Sequence, residues 1–356
     1  MTAAPLRVGV IGAGMIAAIH ADAIRRCEAT TLVGIMDRGS GKGAAIAPEC
    51  DQLASDDLEA FVARADVDAI MIASPSGSHL EAGLCAARHH KHCLVEKPIE
   101  ITPARVDELI EAHSRAGTIL GGIFNTRYTE GATLLKRACA AGRFGRLTHV
   151  SAVGPWWRDQ AYYDDSGWKG TWSLDGGGAL MNQGIHSIDL LQWLVDDEVI
   201  SVAGQIATLA HERIEVEDTG TALLRFSAGT LGTLALTTSV WPGHFRTITI
   251  GGTDGTAVLA DGNLLHWAFR DESDVDEEIR ERLLHLPGAG VGASDPSAGV
   301  DSDGHLASLS EFVDAVRAGR NPSVDGREAR KAVEIICAVY ESSQHGGAPV
   351  ELNRAR

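Results

Sequence analysis

The fold is decided by the stretch Val8-Gly9-Val10-Ile11-Gly12-Ala13-Gly14-Met15-Ile16-Ala17, in which an apolar strand runs through a glycine turn into a helix. Gly12 permits a tight turn, and Gly14 lets the backbone approach a pyrophosphate at the helix N-terminus. Ala17 fills the last small position of the motif. This order predicts a dinucleotide-binding unit, and the alternative is a plain strand-to-helix turn without a ligand. The residues expected against the cofactor are Gly12, Gly14, Met15 and Ile16.

Asp37 ends the second predicted strand, about 20 residues after the glycine turn. An acid at this position commonly accepts the hydroxyls of the adenosine ribose and repels a 2′-phosphate, which favours NAD. Arg38, Ser40 and Lys42 follow at once and can donate to such a phosphate, so NADP stays open. We expect both Asp37 and Arg38 to contact the cofactor.

Apolar runs without polar alternation, separated by helix-like stretches, indicate strands buried on both faces of a parallel sheet. These runs are Arg7–Ile11, Thr31–Met36, Ala69–Ala73, His92–Glu96 and Thr118–Phe124. After Arg127 a helix at Gly131–Ala141 leads to alternating runs, which are typical of antiparallel strands. The alternating runs are Thr221–Phe226, Thr230–Val240 and Arg246–Ile250. The sequence thus predicts an α/β Rossmann domain followed by an α+β domain with a large, mainly antiparallel sheet.

The predicted boundaries give a cofactor domain at 1–126, an α+β substrate and oligomerisation domain at 127–304, and C-terminal helices at 305–356 that pack back toward the first domain. Asp271–Gly304 mixes an acidic run with Pro, Gly and Ser, which predicts a mobile loop, with a plain surface insertion as the alternative. Leu306–Ala318 and Arg327–Ser342 have the apolar spacing of helices.

The composition narrows the class of partner. The formal net charge of −17 repels phosphate backbones and anionic lipid, so a small molecule is a better partner than nucleic acid or a membrane. No apolar run is long enough for a membrane span and the N-terminus lacks the pattern of a signal peptide, which predicts a cytoplasmic protein. The six cysteines form no Cys-x-x-Cys pair, so neither a structural metal site nor a disulfide framework is expected.

Two loops follow predicted strands, at the edge where open α/β sheets bind ligands. For the first, 73–79, a helix cap with His79 at the surface is an equal alternative. The second is Glu96-Lys97-Pro98, in which Lys97 can hydrogen-bond a substrate oxygen and partial burial lowers the lysine pKa toward proton chemistry. A structural ion pair is the alternative there. The further cofactor contacts expected at these strand ends are Ser74, Pro75, Ser76, His79, Glu96, Lys97 and Asn125.

The most informative motif is Asp175-Gly176-Gly177-Gly178-Ala179-Leu180-Met181-Asn182-Gln183-Gly184-Ile185-His186-Ser187-Ile188-Asp189, which opens an amphipathic helix predicted over Gly178–Val195. Asn182 and His186 are one helical turn apart on the same face. The triple glycine before them lets a ligand approach the backbone. His186 alone fits a core histidine, but beside Asn182, in a chain with a dinucleotide motif, it fits catalysis better.

Four of the seven tryptophans lie just before this helix, between residues 156 and 172. Aromatic faces stack on sugar C–H surfaces, and Arg158 and Lys169 can donate to hydroxyls or to a carboxylate. The alternative is a loop anchored by its rings against the sheet, and we expect rings in each role. The expected substrate contacts are Lys97, Arg127, Trp156, Arg158, Tyr163, Trp168, Lys169, Asn182 and His186.

The glycine turn, Glu96-Lys97-Pro98, the Gly177–Asp189 motif and the C-terminal Gly326-Arg327-Glu328-Ala329 and Tyr340-Glu341-Ser342 resemble the Gfo/Idh/MocA oxidoreductase family. The resemblance spans nearly the whole chain and implies a Rossmann domain followed by an open-faced sheet that often forms dimers or tetramers. It implies that His186 accepts the hydroxyl proton during oxidation while Lys97 polarises that oxygen. It also implies a cis Lys97–Pro98 peptide, with Lys97, Asn182 and His186 around one cleft.

Asn182 stands where many family members have aspartate, so we expect His186 to work without that carboxylate partner. The phrase Leu180–His186 resembles a branch that includes dehydrogenases acting at C3 of pyranoses. The first function expected is an NAD(P)-dependent dehydrogenase of a sugar, glycoside or anhydrosugar. The second is a nucleotide-sugar dehydrogenase of the UDP-hexuronate type, although the acidic chain disfavours a diphosphate. The third is a non-catalytic, cofactor-sensing regulatory protein.

Overall fold

A computed structural model describes residues 4–50, 57–284 and 302–352. The chain forms two compact units. The first unit comprises Met1–Asn125 and Asp301–Arg330, and the second comprises Thr126–Val300 and Lys331–Arg356. Among the described residues, no helix is long and apolar enough to cross a membrane.

The first unit contains a parallel five-stranded sheet in the order β2-β1-β3-β4-β5. Its elements are β1 (Leu6–Ile11), α1 (Met15–Arg26), β2 (Thr30–Met36), α2 (Lys42–Ile46), α3 (Leu58–Val62), β3 (Ala69–Ile72), α4 (His79–Arg88), β4 (His92–Val95), α5 (Pro103–Ala116) and β5 (Leu120–Gly122). Every residue of β3 is buried, as expected for a strand covered on both faces. The strand order reverses direction at β1, so the glycine turn after β1 lies where such sheets bind ligands.

The second unit is built on a mainly antiparallel eight-stranded sheet in which β6 and β9 pair in parallel. Its elements up to the last long strand are α6 (Glu130–Ala140), β6 (Leu147–Pro155), α7 (Gln160–Asp164), α8 (Ile185–Val195), β7 (Val199–Ala207), β8 (Thr219–Phe226), β9 (Leu231–Thr237), β10 (Thr247–Gly252), β11 (Gly255–Ala260) and β12 (Asn263–Phe269). Helices α6 and α8 pack on one face of the sheet. Along β8 buried and exposed residues alternate, so its second face is open. The predicted fold class is confirmed.

The acidic stretch after β12 is a helix, α9 (Asp274–Leu283), which corrects the mobile loop predicted from Asp271 onward. Ser273 caps the helix in a reciprocal capping box with Asp276. Asp276 is fully buried, where it accepts hydrogen bonds from Arg143 Nη1 at 2.6 Å and from Trp267 Nε1 at 2.8 Å. An acidic run therefore folds here because one of its carboxylates is paired. Residues 285–301 of the predicted loop lie outside the described residues.

The remaining elements are α10 (Ser302–Ala318), α11 (Gly326–Gln344) and β13 (Val350–Glu351). Helix α10 packs on α1 within the first unit. Phe312 of α10 is fully buried in the same apolar core as Val8, Ile35 and Met71. The first residues of α11 belong to the first unit, and its residues from Lys331 onward belong to the second.

Candidate functional site

The glycine turn after β1 has the conformation that the motif requires. Gly12 has a φ of +110°, and a Cβ there would overlap the carbonyl of Ala73, so a side chain is excluded. Gly14 precedes α1, and the space that its Cβ would occupy is open. Met15, the first residue of the helix, is 52% exposed. The backbone at the start of α1 is therefore accessible to an anionic group, as a pyrophosphate site needs.

Asp37 is held by its own loop after β2. Its Oδ1 accepts the Ser40 N–H at 3.0 Å, and its Oδ2 accepts the Gly43 N–H at 2.9 Å. Burial works to raise the pKa of Asp37, but the hydrogen bonds from Gly43 and Ser40 outweigh it and lower the pKa. The carboxylate is thus ionised and fixed at the end of β2, where it can accept ribose hydroxyls.

His79 joins the two loops that the sequence singled out. The ring is buried, with Nδ1 at 2.9 Å from the Pro98 carbonyl oxygen and Nε2 at 2.9 Å from the Ser74 carbonyl oxygen. Burial lowers the pKa of His79. The alternative of a surface histidine is therefore wrong. Ser76 is also buried, whereas Ser74 and Pro75 are half-buried and accessible to a ligand.

Glu96 faces the interior of the first unit, beside two histidines. Its Oε1 lies 3.1 Å from His20 Nε2 and 3.4 Å from His305 Nε2, and its Oε2 accepts the Lys97 N–H at 3.0 Å. Burial works to raise the pKa of Glu96, but the two histidines outweigh it and hold the pKa well below its usual range. These contacts hold the Glu96 carboxylate at the start of its loop, and its contact with the cofactor stays a prediction. Neither histidine was identified from the sequence, because both lie far from Glu96 along the chain.

The Lys97–Pro98 peptide is cis, as expected. Lys97 is half-buried just beyond the carboxyl end of β4. At the neighbouring end of β5, Asn125 Oδ1 is buried and makes no hydrogen bond with the described residues. A buried amide oxygen without a partner is costly in the absence of a ligand, so Asn125 fits the predicted cofactor contact.

The predicted catalytic helix begins with a π-helical turn over Ala179–Gly184 and continues as α8. This corrects the uniform amphipathic helix expected from Gly178. Asn182, Gln183 and His186 are half-buried, while Leu180, Met181 and the residues on either side of His186 are buried. The polar side chains at the start of this helix therefore share an accessible face.

The triple glycine is required by the protein itself and not only by a ligand. A Cβ at Gly177, whose φ is +155°, would overlap Tyr340 Oη, and a Cβ at Gly178 would overlap the Glu217 carbonyl oxygen. The Glu217 carboxylate accepts the Gly178 N–H at 3.0 Å and the Leu180 N–H at 2.8 Å, and Tyr340 Oη donates to it at 3.0 Å. The glycines thus let the turn pack closely against Glu217 and Tyr340.

Asn182 has a carboxylate neighbour that sequence reasoning missed. Its Nδ2 donates to Asp175 Oδ1 at 2.5 Å, and Asp175 Oδ2 accepts the Gly170 N–H at 2.9 Å. Asp175 is fully buried. The Asn182 amide oxygen accepts Gln183 Nε2 at 3.1 Å. A buried carboxyl group is therefore hydrogen-bonded to Asn182, although in the sequence Asp175 is only the residue before the glycines.

Arg158 and aromatic rings surround this polar face. Arg158 is buried, its guanidinium lies 5.5 Å from the Trp156 and Tyr162 ring centroids, and its Nη2 donates to Gln183 Oε1 at 3.1 Å. Lys169 Nζ stands 3.6 Å from the centroid of Tyr162. A small cavity lies beside Trp156 and Gln183. The aromatic segment thus places Arg158 next to Gln183 and Lys169 against the Tyr162 ring. Trp168 is half-buried, and its contact with substrate stays a prediction.

Two expected substrate contacts have structural partners instead. Arg127 is buried and forms a bidentate ion pair with Asp189, at 2.7 and 2.5 Å, so its guanidinium is used within the second unit. Tyr163 is 5% exposed and its hydroxyl lies 3.0 Å from Thr238 Oγ1. Burial raises the pKa of Tyr163 to about 12, which makes it a poor base. Both residues thus have partners within the protein, and their predicted contacts with substrate stay predictions.

Among the described residues, one group has the donor set for a metal ion: Glu59, Cys85 and His89. Glu59 Oε1 lies 2.6 Å from His89 Nε2, and Oε2 accepts Arg88 Nη2 at 3.0 Å. Hydrogen bonds from His89 and Arg88 lower the pKa of Glu59 to about 2. Contacts within the protein, including one to a cationic guanidinium, account for this group without a metal.

Comparison with known proteins covers both units. Residues 6–123 match the oxidoreductase family with an NAD-binding Rossmann fold, and residues 133–258 match the GFO/IDH/MocA C-terminal domain. The WlbA dehydrogenase from Bordetella pertussis, solved in complex with NADH and UDP-GlcNAcA, is 31% identical with a TM-score of 0.88 over 100% of both chains. Myo-inositol 2-dehydrogenase from Thermotoga maritima is 26% identical over 95% of this chain and 96% of its own. D-glucoside 3-dehydrogenase from Escherichia coli is 23% identical over 97% of each chain.

Proposed function

Because the chain belongs to the GFO/IDH/MocA family of NAD-dependent oxidoreductases, we propose that it oxidises a secondary hydroxyl of a sugar, at C3 of a pyranose ring. The observation that carries this proposal is the glycine-led turn, in which Gln183 contacts Arg158 beside the Trp156 ring and also contacts Asn182, one helical turn before His186. Convergent polar groups bordered by aromatic faces suit a sugar. NAD supplies the hydride acceptor when it is bound.

The residues of the first unit suited to hold NAD are the glycine turn, Asp37 and Asn125. The open backbone at Gly14 suits the pyrophosphate, and the fixed Asp37 carboxylate suits the ribose hydroxyls. The orphaned Asn125 oxygen suits a donor such as the amide of the nicotinamide. Since Asp37 repels a 2′-phosphate, kcat/KM should be higher with NAD than with NADP. A preference for NADP would show that Arg38 and its neighbours override the acid.

We propose His186 as the base that takes the hydroxyl proton and Lys97 as the donor that polarises the same oxygen. General acid–base help is worth about 10²–10⁴-fold, so His186→Ala should reduce kcat by that order. Lys97→Ala should be equally severe because it removes a positive charge and a donor. Asn182→Ala should act more on KM, since an amide exchanges no proton near neutral pH.

The substrate proposed is a nucleotide-linked hexuronate rather than a free sugar. The identity of 31% over the whole chain to a dehydrogenase solved with UDP-GlcNAcA supports it. The buried Arg158, between two rings and next to Gln183, supports it independently because a guanidinium in a sugar site suits a carboxylate. A nucleotide-linked hexuronate carries two negative charges on its diphosphate and one on its carboxylate. The net charge of −17 on the protein opposes such a ligand, so the cations near the site must attract it locally.

A cofactor-reduction screen distinguishes these substrates. We expect NADH formation with UDP-GlcNAcA at a kcat/KM well above that with glucosides, levoglucosan or myo-inositol. Arg158→Gln should remove most of this preference without affecting KM for NAD. Turnover of free sugars alone would contradict the nucleotide-linked substrate and leave the free-sugar dehydrogenase as the function. A primary isotope effect with deuterium at C3, and none with deuterium at C4, tests the carbon.

We also propose that copies of the chain associate through the open face of the eight-stranded sheet. Leu223 on β8 is 63% exposed, and Leu231 on β9 is 58% exposed. Leu231 on β9 lies opposite Arg225 on β8. Arg225 and Leu223 are two residues apart on β8 and so point to the same face, which puts the two leucines at neighbouring positions of that face. Exposed apolar residues grouped on a sheet face are typical of an interface.

A further inference from the structure

The start of the catalytic helix packs on a buried acid and a tyrosine that the proposed reaction does not use. Glu217, at the end of the loop before β8, is 1% exposed, and Tyr340 on α11 is 8% exposed. Three donors converge on the Glu217 carboxylate: the N–H groups of Gly178 and Leu180 and the hydroxyl of Tyr340. The Glu217 carbonyl oxygen accepts the Ala179 N–H at 3.0 Å.

We propose that Glu217 and Tyr340 are positioning residues. They hold the π-helical turn that carries Asn182 and leads into α8, where His186 lies. The first N–H groups of a helix have no partner within the helix, and a carboxylate that accepts two of them fixes where the helix begins. Only glycine fits at positions 177 and 178 in this packing, because a Cβ at either would overlap Tyr340 or the Glu217 carbonyl oxygen. The proposal rests on the function proposed above.

The ionisation of Glu217 gives this contact a pH dependence. Burial raises the pKa of Glu217 from 4.5 to about 7, against the hydrogen bonds from Leu180, Gly178 and Tyr340. Above neutral pH the carboxylate accepts all three donors. Below it, protonation turns one oxygen into a donor that faces other donors, so the turn should loosen.

Other ionisable groups also lie near Glu217. Burial raises the pKa of Tyr340 well above its usual value, and burial raises the pKa of Tyr163 to about 12, so both are neutral. Asp175 and Cys337 interact electrostatically with Tyr340. Burial works to lower the pKa of His211, but its contact with Asp218 outweighs burial and raises the pKa, and the His211 ring packs on Tyr163. The Glu217→Gln variant therefore decides whether an ionisation near neutral pH belongs to Glu217.

Three variants test the proposal. Glu217→Gln mimics the protonated carboxyl at every pH, and Tyr340→Phe removes only the hydroxyl that donates to it. Ser342→Ala is the matched control: it removes a buried hydroxyl from the same helix, one that accepts the Gly204 N–H at 2.9 Å and does not contact the turn. We expect kcat to fall about 10- to 100-fold in Glu217→Gln, because small misplacements of catalytic groups cost rate, with KM for NAD unchanged.

The pH profile and hydrogen exchange separate positioning from general destabilisation. The proposed base His186 contributes one ionisation to the kcat profile of every variant. The wild-type profile should contain a second ionisation near pH 7, which Glu217→Gln lacks and Ser342→Ala retains. Amide exchange over residues 178–186 should increase in Glu217→Gln and Tyr340→Phe but not in Ser342→Ala. Exchange needs no substrate, so it tests the positioning role even if the proposed reaction fails. The proposal is overturned if amide exchange in Tyr340→Phe equals that of the wild type and the pH profile of kcat in Glu217→Gln is unchanged. If Glu217→Gln does not fold, the exchange measured in Tyr340→Phe decides the question.

Discussion

Asn182 shows how one residue's role depends on a buried neighbour. The position carries an amide where many relatives carry an acid, and the sequence alone suggested that His186 lacks a carboxylate nearby. The carboxyl group of Asp175 lies at the adjacent position, with its Oδ1 2.5 Å from Asn182 Nδ2. The amide suits this position because it can donate a hydrogen bond to Asp175.

Asn182→Asp should consequently destabilise the protein. Two carboxylates in direct contact cannot both ionise in a buried site, so one must take up a proton and its pKa rises. A folded-state pKa above the unfolded value makes stability greatest at low pH and reduces it as pH rises, so the loss should be about 1–3 kcal/mol at pH 8 and smaller at pH 5.5. Urea unfolding at both pH values measures it.

The exchanged pair Asp175→Asn with Asn182→Asp is the control. The exchanged pair again places one amide donor against one carboxylate. It should therefore recover much of the free energy of unfolding that Asn182→Asp loses at pH 8. An equal loss at both pH values in Asn182→Asp, or no recovery in the exchanged pair, would show that the two side chains do not interact as the structure indicates.

At the scale of elements, the sequence revealed the glycine-led helix but not what it packs against. The triple glycine is visible as a pattern in the sequence. Its partners are distant along the chain: Glu217 lies 39 residues after Gly178, and Tyr340 lies 123 residues after Glu217. Local pattern cannot predict such pairings. For the same reason, the sequence alone indicates only that the glycines leave space for a ligand.

Gly178→Ala should therefore be strongly destabilising. The added methyl group would overlap the Glu217 backbone carbonyl, which cannot move as a flexible side chain can. Gly167→Ala is the matched control, since no atom lies within 4 Å of the position that its methyl group would occupy. Thermal unfolding should show a large loss for Gly178→Ala and almost none for Gly167→Ala, and similar melting temperatures would contradict the packing described.

Helix α9 illustrates a limit of compositional reasoning. Its acidic residues predict solvation, but Asp276 is buried against Arg143 and Trp267, which lie elsewhere in the second unit. Asp276→Ala should reduce the free energy of unfolding by about 1.5–3 kcal/mol, the range for hydrogen bonds to a charged group. Asp274→Ala, at an exposed position of the same helix, should change it little.

The pH dependence provides a check on this prediction. The hydrogen bond from Arg143 outweighs burial, which works to raise the pKa, and holds the pKa of Asp276 below its usual value of 3.8. Its stabilisation is thus complete above that unfolded-state pKa and is lost as the pH falls through the lower folded-state pKa. The difference between wild type and Asp276→Ala should shrink in acid. A difference that grows on acidification would contradict the pairing.

For the whole molecule, the sheet face is expected to determine the oligomeric state. Leu231→Glu places a charge among exposed leucines and should shift the protein toward smaller species in sedimentation velocity. Leu209→Glu is the control, because Leu209 is 71% exposed but lies outside the strands. A wild-type monomer at micromolar concentration, or dissociation by both variants alike, would contradict an interface on this face.

The two-unit organisation was predictable because each half has its own periodicity: continuous apolar runs at the N-terminus and alternation after Arg127. The glycine turn, the cis Lys97–Pro98 peptide and the family were also foreseen. What the sequence did not reveal were buried pairs such as Arg127–Asp189 and His20–Glu96, whose members are distant along the chain. An isolated arginine or histidine in a sequence fits substrate binding and internal pairing equally well.

The proposed reaction is tested most directly by single-turnover NADH formation with UDP-GlcNAcA, in wild type and His186→Ala across a range of pH. Single turnover removes product release as the rate-limiting step. The wild type should form NADH rapidly, and His186→Ala should be slower by about 10²–10⁴-fold while still binding NAD, because the proton acceptor is lost. Nearly wild-type rates in His186→Ala at every pH would contradict His186 as the base and leave Lys97 as the next candidate.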